Sequence, residues 1–391
     1  MTDIQALLAT CAQVDREQDE AVLATVVKVE GSAYRRPGAR MLISSLGSTE
    51  GTISGGCLES AVAKKAWWLT ERGQPVLQRY SSASGDDEED GLFGLGCNGT
   101  LYLLLERHSR ALPAPAIELL REVAARGEPG AMARVIGCPA RSGVRLGQYL
   151  SCAPGRRWRS DLPDGVAALL RADLQRTLDD RRNALCRYPL ADGELEVFCE
   201  YLAPPRRLLV FGGGHDAQPL VEMARLMGWQ VTLIDSRRHY ARHERFPGAH
   251  AVRCIELDES LDWSALADGA AVLIMSHSYR QDRHWLQAML DCRPFYLGQL
   301  GPRSRTERLL AEVRDPGSSQ PGLAVLHYPM GLDIGGDTPQ SVALAVLAEI
   351  AAVGNGRQGG LLSGRSGSIH EREAEHGACA VAMRAQRRAS R

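Results

Sequence analysis

Apolar positions in the first part of the chain alternate between strand-like runs and helical spacing. Residues 21–29 are rich in β-branched residues and predict a buried strand. Leu58, Val62 and Ala66 recur at helical intervals and predict a helix that faces the core. With the strand TLYLLLE that follows the turn LGCNG, these elements predict an N-terminal α/β domain over residues 1–106.

The middle of the chain predicts a connecting α/β region and linker over residues 107–205. AIELLREVAARG and VAALLRADLQRTL have helical spacing, whereas AMARVI, VRLGQYL and ELEVFCEYL resemble strands. None of these segments carries a motif with evident chemistry. Ala203-Pro204-Pro205 forms a stiff junction, because proline lacks a backbone donor and restricts the residue before it, so we expect a domain boundary there.

From Arg207 onward, continuous apolar runs alternate with helical segments. The runs are RLLVF, WQVTLID, HAVRC, AVLIMS, PFYLG and AVLHY. Such strands are typical of a doubly wound, mostly parallel sheet, so residues 206–354 are predicted to form a Rossmann-type domain. Thr338 and Pro339 suit the start of a last helix that is apolar nearly all round and should be buried. The remainder, 355–391, is rich in glycine, serine and arginine and predicts a disordered tail.

Composition narrows the classes of partner. The formal net charge of −1 gives no overall field that would attract nucleic acid or an anionic membrane, and no stretch has the length and apolarity of a membrane span. The chain begins without the features of a secretory signal peptide, so we expect a cytoplasmic protein. Ten irregularly spaced cysteines, without a CxxC pair, favour reduced thiols over a disulfide framework.

A glycine-rich turn between the strand LLVF and a helix predicts a nucleotide-binding site. Gly212 would permit the tight turn, Gly214 the approach of a pyrophosphate, and Ala217 close packing of helix on strand. Amides at the start of the helix would then bind phosphate. Asp235 ends the next strand, at the distance where a carboxylate accepts ribose hydroxyls. The predicted site residues of this turn and its surroundings are Gly212, Gly213, Gly214, His215, Ala217, Asp235, Arg237 and His277.

The same turn leaves two functions open. Arg237 suits a 2′-phosphate, but Asp235 would repel one, so the sequence does not select NADPH over NADH. His215 and His277 follow predicted strands at the edge where open α/β sheets bind ligands. One hypothesis is therefore an NAD(P)-dependent oxidoreductase that uses one of these histidines as acid and base.

Seven motifs occur along the chain in a fixed order: GSAYRRPGARMLI, GTISGGCLE, GLGCNGTLYLLLE, GGGHDAQPL, MSHSYRQD, YLGQLGPRSR and PMGLDIGGDTPQSVALAVLAEI. Together they resemble the xanthine dehydrogenase accessory factor family, XdhC/CoxI. The resemblance covers about 21–106 and 207–353. This chain departs from the family pattern at Ala33-Tyr34, where the family commonly has Ser-Pro, and at Asn98, where it often has glycine.

The resemblance implies a maturation chaperone rather than a metabolic enzyme. Members of the family bind the molybdenum cofactor (molybdopterin), protect it while a cysteine desulfurase exchanges an oxo ligand for sulfur, and deliver it to a xanthine dehydrogenase-type molybdoenzyme. The client enzyme is left open, as is the oligomeric state, with a homodimer as one option. The ligand of the Rossmann-type turn is also open between NAD(P) and the pterin itself.

Two cysteines and three arginines in the first domain are candidate cofactor contacts. Arg35, Arg36 and Arg40 lie around a glycine turn, and guanidinium groups suit phosphate. Glycines next to Cys57 and Cys97 would leave each thiol accessible to a soft metal. Cys97 lies in a loop rather than at the start of a helix, so we rank it above Cys57 as the molybdenum contact.

Overall fold

The computed structural model describes residues 4–31, 33–81, 99–315, 317–364 and 374–376. It divides into two compact units, of which the first ends at Pro204 and the second begins at Pro205; the described residues 374–376 belong to the first. The acidic run SGDDEEDG, residues 84–91, lies outside the described residues, as does Cys97. None of the helices in the described ranges is long and apolar enough to cross a membrane.

The first unit begins with α1 (Ile4–Glu17), β1 (Glu20–Gly31), β2 (Arg40–Ser44), β3 (Thr49–Gly51), α2 (Glu59–Leu69), β4 (Val76–Ser81) and β5 (Gly99–Ser109). These strands form an antiparallel sheet of order β3-β2-β1-β5-β4. The predicted strand over 21–29 lies within its central strand, and the predicted helix buries Val62 and Ala66.

The rest of the first unit contains α3 (Pro115–Arg126), β6 (Gly130–Gly137), β7 (Tyr149–Ala153), β8 (Arg157–Ser160), α4 (Asp164–Asp180), β9 (Ala184–Leu190), β10 (Gly193–Leu202) and β17 (Ala374–His376). Its sheet has the order β17-β9-β10-β6-β7-β8 and is antiparallel except at β17. The strand predicted over 144–150 is wrong in its first part, because Gly147 adopts a left-handed turn (φ +80°) and pairing starts only at Tyr149.

Two buried ion pairs join the sheets of the first unit. Arg40 on β2 pairs with Glu200 on β10, and Arg134 on β6 pairs with Glu106 on β5; all four side chains are at most 6% exposed. Each sheet therefore supplies one acid and one base. The prediction that Arg40 joins the phosphate-binding arginines is wrong, because its guanidinium is buried against a carboxylate that the sequence places 160 residues later.

The second unit contains β11 (Arg207–Phe211), α5 (Ala217–Leu226), β12 (Gln230–Asp235), β13 (Ala251–Cys254), α6 (Trp263–Ala267), β14 (Ala271–Ile274), α7 (Tyr279–Leu290), β15 (Tyr296–Gln299), α8 (Arg303–Val313), β16 (Leu326–His327) and α9 (Pro339–Gly354). Its sheet is parallel, with the order β13-β12-β11-β14-β15-β16. In chain order this is 3-2-1-4-5-6, the order of a Rossmann fold, with its switch point between β11 and β14.

Alternate residues of β11 show why its sequence is apolar throughout. Leu208 and Val210 belong to a core that includes α5 and α9, whereas Leu209 and Phe211 belong to a core that includes α7 and α8. Helices therefore cover both faces of the sheet, as continuous apolar strands require. This confirms the predicted doubly wound, Rossmann-type architecture.

The end of the second unit agrees only partly with the sequence prediction. The Thr338 hydroxyl accepts a hydrogen bond from the Ser341 amide, so the predicted cap of α9 is confirmed. Its predicted burial all round is wrong, since Leu344 is 55% exposed. The strand predicted at AVLHY shortens to Leu326–His327, because a 3₁₀ turn that starts at Pro321 takes up the preceding residues. Of the predicted disordered tail, the structure describes 355–364 and 374–376.

Candidate functional site

The glycine turn after β11 has its tight fold at the first glycine. Gly212 has φ +116°, and a Cβ there would lie 2.5 Å from the Cα of Ser276, which follows β14. A Cβ on Gly213 would lie 2.7 Å from the carbonyl oxygen of Tyr240. These two glycines are therefore required by the packing of the protein itself. At Gly214 the nearest atom to a Cβ would be the His277 ring at 3.4 Å, so this residue is the least enclosed of the three.

The backbone amides from Gly214 to Ala217 are available to donate hydrogen bonds to a phosphate. Within the described chain, the amides of Gly214, His215, Asp216 and Ala217 make no hydrogen bond. They lie at the start of α5, where the helix dipole favours an anion. Ala217, the first residue of α5, is fully buried, as expected for close packing of this helix on the strand.

His277 closes one side of this turn. Its Nε2 lies 2.9 Å from a carboxylate oxygen of Asp216, although its side chain remains 55% exposed. Its φ of +58° is unusual for a residue other than glycine and places the ring over Gly214. The structure thus brings His277 to the glycine turn, at the carboxyl edge of the sheet. His215 is an exposed part of the turn itself.

Asp235, at the end of β12, is fully buried and is held by its own chain. It accepts hydrogen bonds from the Gly213 amide (2.8 Å), the Arg237 amide (2.9 Å), and Nε and Nη2 of Arg237 (2.9 and 2.8 Å). Burial acts to raise the pKa of Asp235, but the Arg237 and Gly213 hydrogen bonds outweigh it and hold that pKa below its ordinary value. The carboxylate and its arginine therefore form a charged pair beside the turn.

A second buried carboxylate, Asp282, was not predicted as a site residue. It accepts from the Ser276 amide (3.1 Å) and hydroxyl (2.5 Å), from Gln299 Nε2 (3.2 Å) and from Arg305 Nη1 (2.6 Å). It thereby ties the ends of β14 and β15 to α7 and α8 and supports the backbone next to His277. The motifs MSHSYRQD and YLGQLGPRSR contain these residues, but only the fold shows that they meet.

A different glycine turn precedes α2 in the first unit. Both oxygens of Glu59 accept hydrogen bonds from the turn that leads into its own helix. The backbone donors are the amides of Ile53, Ser54, Gly55, Gly56 and Leu58, and the side-chain donors are Thr52 and Ser54. Burial acts to raise the pKa of Glu59, but the hydrogen bonds hold it far below its ordinary range. This ring of amides is thus an anion site occupied by the protein's own carboxylate.

The same turn exposes Cys57 and touches the arginine segment. Cys57 is an exposed free thiol. A Cβ on Gly55 would lie 2.8 Å from the Tyr34 ring, and the Arg35 guanidinium lies 5.7 Å from the centre of that ring. The structure therefore brings the Arg35 segment next to the turn that carries Cys57. Arg36 is half-buried in the same segment, and Cys97 lies outside the described residues.

The eight cysteines in the described parts of the chain are all free. Cys186 and Cys199 are buried in β9 and β10. No group of three or more His, Cys, Asp or Glu side chains in those parts is arranged to hold a metal ion.

Family models match both units. Residues 15–81 match the XdhC and CoxI family, and residues 208–350 match the XdhC Rossmann domain. A protein of Bacillus subtilis (strain 168), described as a probable xanthine dehydrogenase component, is 30% identical over 334 residues, which cover 85% of this chain and 93% of that protein. The chain belongs to the XdhC and CoxI family.

Two further proteins extend the comparison over nearly the whole chain. The molybdenum cofactor insertion chaperone PaoD of Escherichia coli (strain K12) is 26% identical over 338 residues, covering 85% of this chain and 83% of PaoD. A crystal structure described as a xanthine dehydrogenase from Bacillus halodurans superimposes with a TM-score of 0.70 at 27% identity, covering 94% of this chain and 98% of that one. The matched family models include the Arg35 segment, the Glu59 turn and the Rossmann-type turn.

Proposed function

We propose that this protein is a molybdenum cofactor-binding chaperone that supports sulfuration of the cofactor and its insertion into a xanthine dehydrogenase-type molybdoenzyme. The observation that carries the proposal is membership of the XdhC/CoxI family together with similarity along most of the chain to a cofactor insertion chaperone. In this proposal the partners are the client molybdoenzyme and a cysteine desulfurase, all cytoplasmic, and the protein catalyses no reaction of its own.

Each unit, taken by itself, offers groups that suit one part of such a cofactor. The amides from Gly214 to Ala217 provide phosphate donors, with His277 beside them. In the first unit, the exposed Cys57 lies near Arg35 and offers a thiol that suits a soft metal. When bound, the cofactor would supply the molybdenum that accepts sulfur. The protein's residues would hold its phosphate.

The cofactor content of the purified protein tests the proposal directly. The full chain is expressed with molybdate, purified, and assayed for released pterin and for molybdenum. We expect both in comparable amounts. Substrate-dependent formation of NADH by a pterin-free protein would contradict the proposal and favour the NAD(P)-dependent oxidoreductase.

Cysteine variants separate a cofactor contact from a bystander thiol. We expect Cys97→Ala to lower the retained pterin most and Cys57→Ala to lower it less. Cys254→Ala is the matched control, because Cys254 is exposed but lies in the other unit, at the end of β13. Pterin retention that is equal in all three variants would exclude a thiol contact.

The glycine turn is tested at its least enclosed position. Gly214→Val would place a branched side chain where a phosphate must approach the amides, so we expect loss of bound pterin with the fold retained. Gly214→Ala is the smaller control and should retain more. Unchanged pterin in the valine variant would remove this turn from the binding site.

The chaperone role makes a prediction about the client. In a strain without this protein, the client hydroxylase should fold and remain soluble but lack its terminal sulfur. Cyanolysable sulfur in the purified client measures this. A normal sulfur content would contradict the maturation role even if this protein binds the cofactor.

A further inference from the structure

In dinucleotide-binding Rossmann folds, the carboxylate at the end of the second strand accepts hydrogen bonds from the ribose hydroxyls. In this protein that carboxylate is Asp235. It is fully buried and accepts four hydrogen bonds, from the Gly213 amide and from three donors of Arg237. An ionised carboxylate has about four acceptor positions, so none remains for a ribose.

Arg237 is held firmly in this position. Its guanidinium donates to both Asp235 oxygens, and its Cζ lies 4.0 Å from the centre of the Tyr240 ring. Nη2 also donates to the Ser276 carbonyl at 3.3 Å. Ser276 follows β14, and β11 lies between β12 and β14, so this side chain reaches across the end of β11. A ribose diol could reach Asp235 only by displacing Arg237. Breaking this bidentate ion pair would leave the charges of Asp235 and Arg237 without their partners.

The turn from Arg237 to Ala241 packs against the glycine turn, with the Tyr240 carbonyl oxygen 2.7 Å from where a Gly213 Cβ would lie. Beside it, a cleft of about 720 Å³ follows the ends of β12 and β13. Its lining contains one arginine and three carboxylates: Arg238, Ala241, Cys254, Glu256, Asp258 and Glu259. The three carboxylates would repel the 2′-phosphate of NADP.

We infer that Arg237 is a specificity-determining residue that closes the Rossmann unit to NAD and NADP by occupying the ribose-binding carboxylate. The unit therefore takes a ligand through the amides from Gly214 to Ala217 without reading a ribose diol at Asp235. The inference deepens the proposed function by narrowing the ligand of this turn to a phosphate-bearing molecule other than a nicotinamide dinucleotide. It does not depend on whether that molecule is the molybdenum cofactor.

Isothermal titration of the full chain with NAD⁺, NADP⁺ and ADP-ribose tests this inference. For the wild type we expect no binding tighter than about 1 mM. Arg237→Ala uncovers the Asp235 carboxylate, so its affinity for NAD⁺ and ADP-ribose should rise at least about tenfold. Arg238→Ala is the matched control, because it removes a neighbouring arginine and keeps the Asp235 pair, and it should behave as the wild type.

The double variant Asp235→Asn with Arg237→Ala should lose the gained affinity, since the carboxylate is then absent. A folded Arg237→Ala protein without any gain would overturn the inference. If Arg237→Ala does not fold, the wild type and Asp235→Asn decide: wild-type NAD⁺ binding tighter than about 1 mM that weakens in Asp235→Asn overturns the inference, and absence of such binding supports it. Pterin content is measured separately, so failure of the chaperone proposal is distinguishable from failure of this inference.

Discussion

The two glycine turns of this protein look alike in sequence but differ in what fills them. Each leads from a strand or extended segment into a helix. In the first unit, five amides around Thr52–Glu59 donate to Glu59, so the anion is supplied by the protein. In the second, Asp235 accepts from only one amide of the glycine turn, that of Gly213, and the four amides from Gly214 to Ala217 remain available.

The difference shows that glycines before a helix do not by themselves specify a ligand site. A carboxylate placed at the start of the helix can reach back and satisfy the turn, as Glu59 does. In the Rossmann-type turn, the corresponding carboxylate is Asp235 at the end of the neighbouring strand β12. It accepts from the Gly213 amide but from no later amide of the turn. Which amides remain free therefore depends on where the nearest acidic side chain enters.

The largest expected effect is at the first glycine of the Rossmann-type turn. Gly212→Ala should lower the free energy of unfolding by about 3 kcal/mol or more, because a left-handed backbone and a contact with the Ser276 backbone both oppose a Cβ. Gly214→Ala should change it by less than about 1 kcal/mol, since only the His277 ring is near. Chemical denaturation measures both. Equal losses would mean that the two glycines are equally enclosed.

The next effect concerns the occupied turn. Glu59→Ala removes the carboxylate that accepts from five amides, and water would replace this acceptor only in part. The substitution should lower the free energy of unfolding by about 2 kcal/mol. Glu71→Ala, at an exposed position just after α2, is the control and should cost less than about 0.5 kcal/mol. A loss as small as that of the control would show that the turn holds its shape without the carboxylate.

The pH dependence of stability follows from the lowered pKa of Glu59. Because the folded state favours the ionised form, the stabilisation is fully present above the ordinary value of 4.5 and is lost as the pH falls below it. The difference in Tm between the wild type and Glu59→Gln should therefore shrink as the pH is lowered from 6 to about 3. A difference that stays constant over this range would show that Glu59 acts through packing rather than charge.

The smallest effect is expected at the thiol of the occupied turn. Cys57→Ser should change the free energy of unfolding by less than about 0.5 kcal/mol, because the side chain is exposed. Cys199→Ser buries a hydroxyl in β10 and should cost about 1 kcal/mol or more. Thermal melts of the two variants provide the comparison. A marked loss in Cys57→Ser would assign that thiol a structural role.

Local patterns predicted the Rossmann-type unit well and the contacts of its site poorly. The strand RLLVF, the turn that begins at Gly212 and the cap at Thr338 depend on neighbouring residues, so sequence alone suffices. The pairing of Asp235 with Arg237 was not foreseen, although the residues are only two positions apart, because both were assigned to a ligand. The hydrogen-bond partners of Asp282 lie just after β14, on β15 and on α8, and only the fold brings them together.

The reciprocal ion pairs between the sheets of the first unit bear on how this half of the molecule can be cut or recombined. A fragment that ends after Glu106 keeps Arg40 and Glu106 but loses Glu200 and Arg134, so each of the two charges loses its ion-pair partner in what was the interior. Replacing either segment with that of a relative would succeed only if both members of each ion pair are replaced together. For expression of the isolated half, the shortest sensible design therefore runs to Pro204.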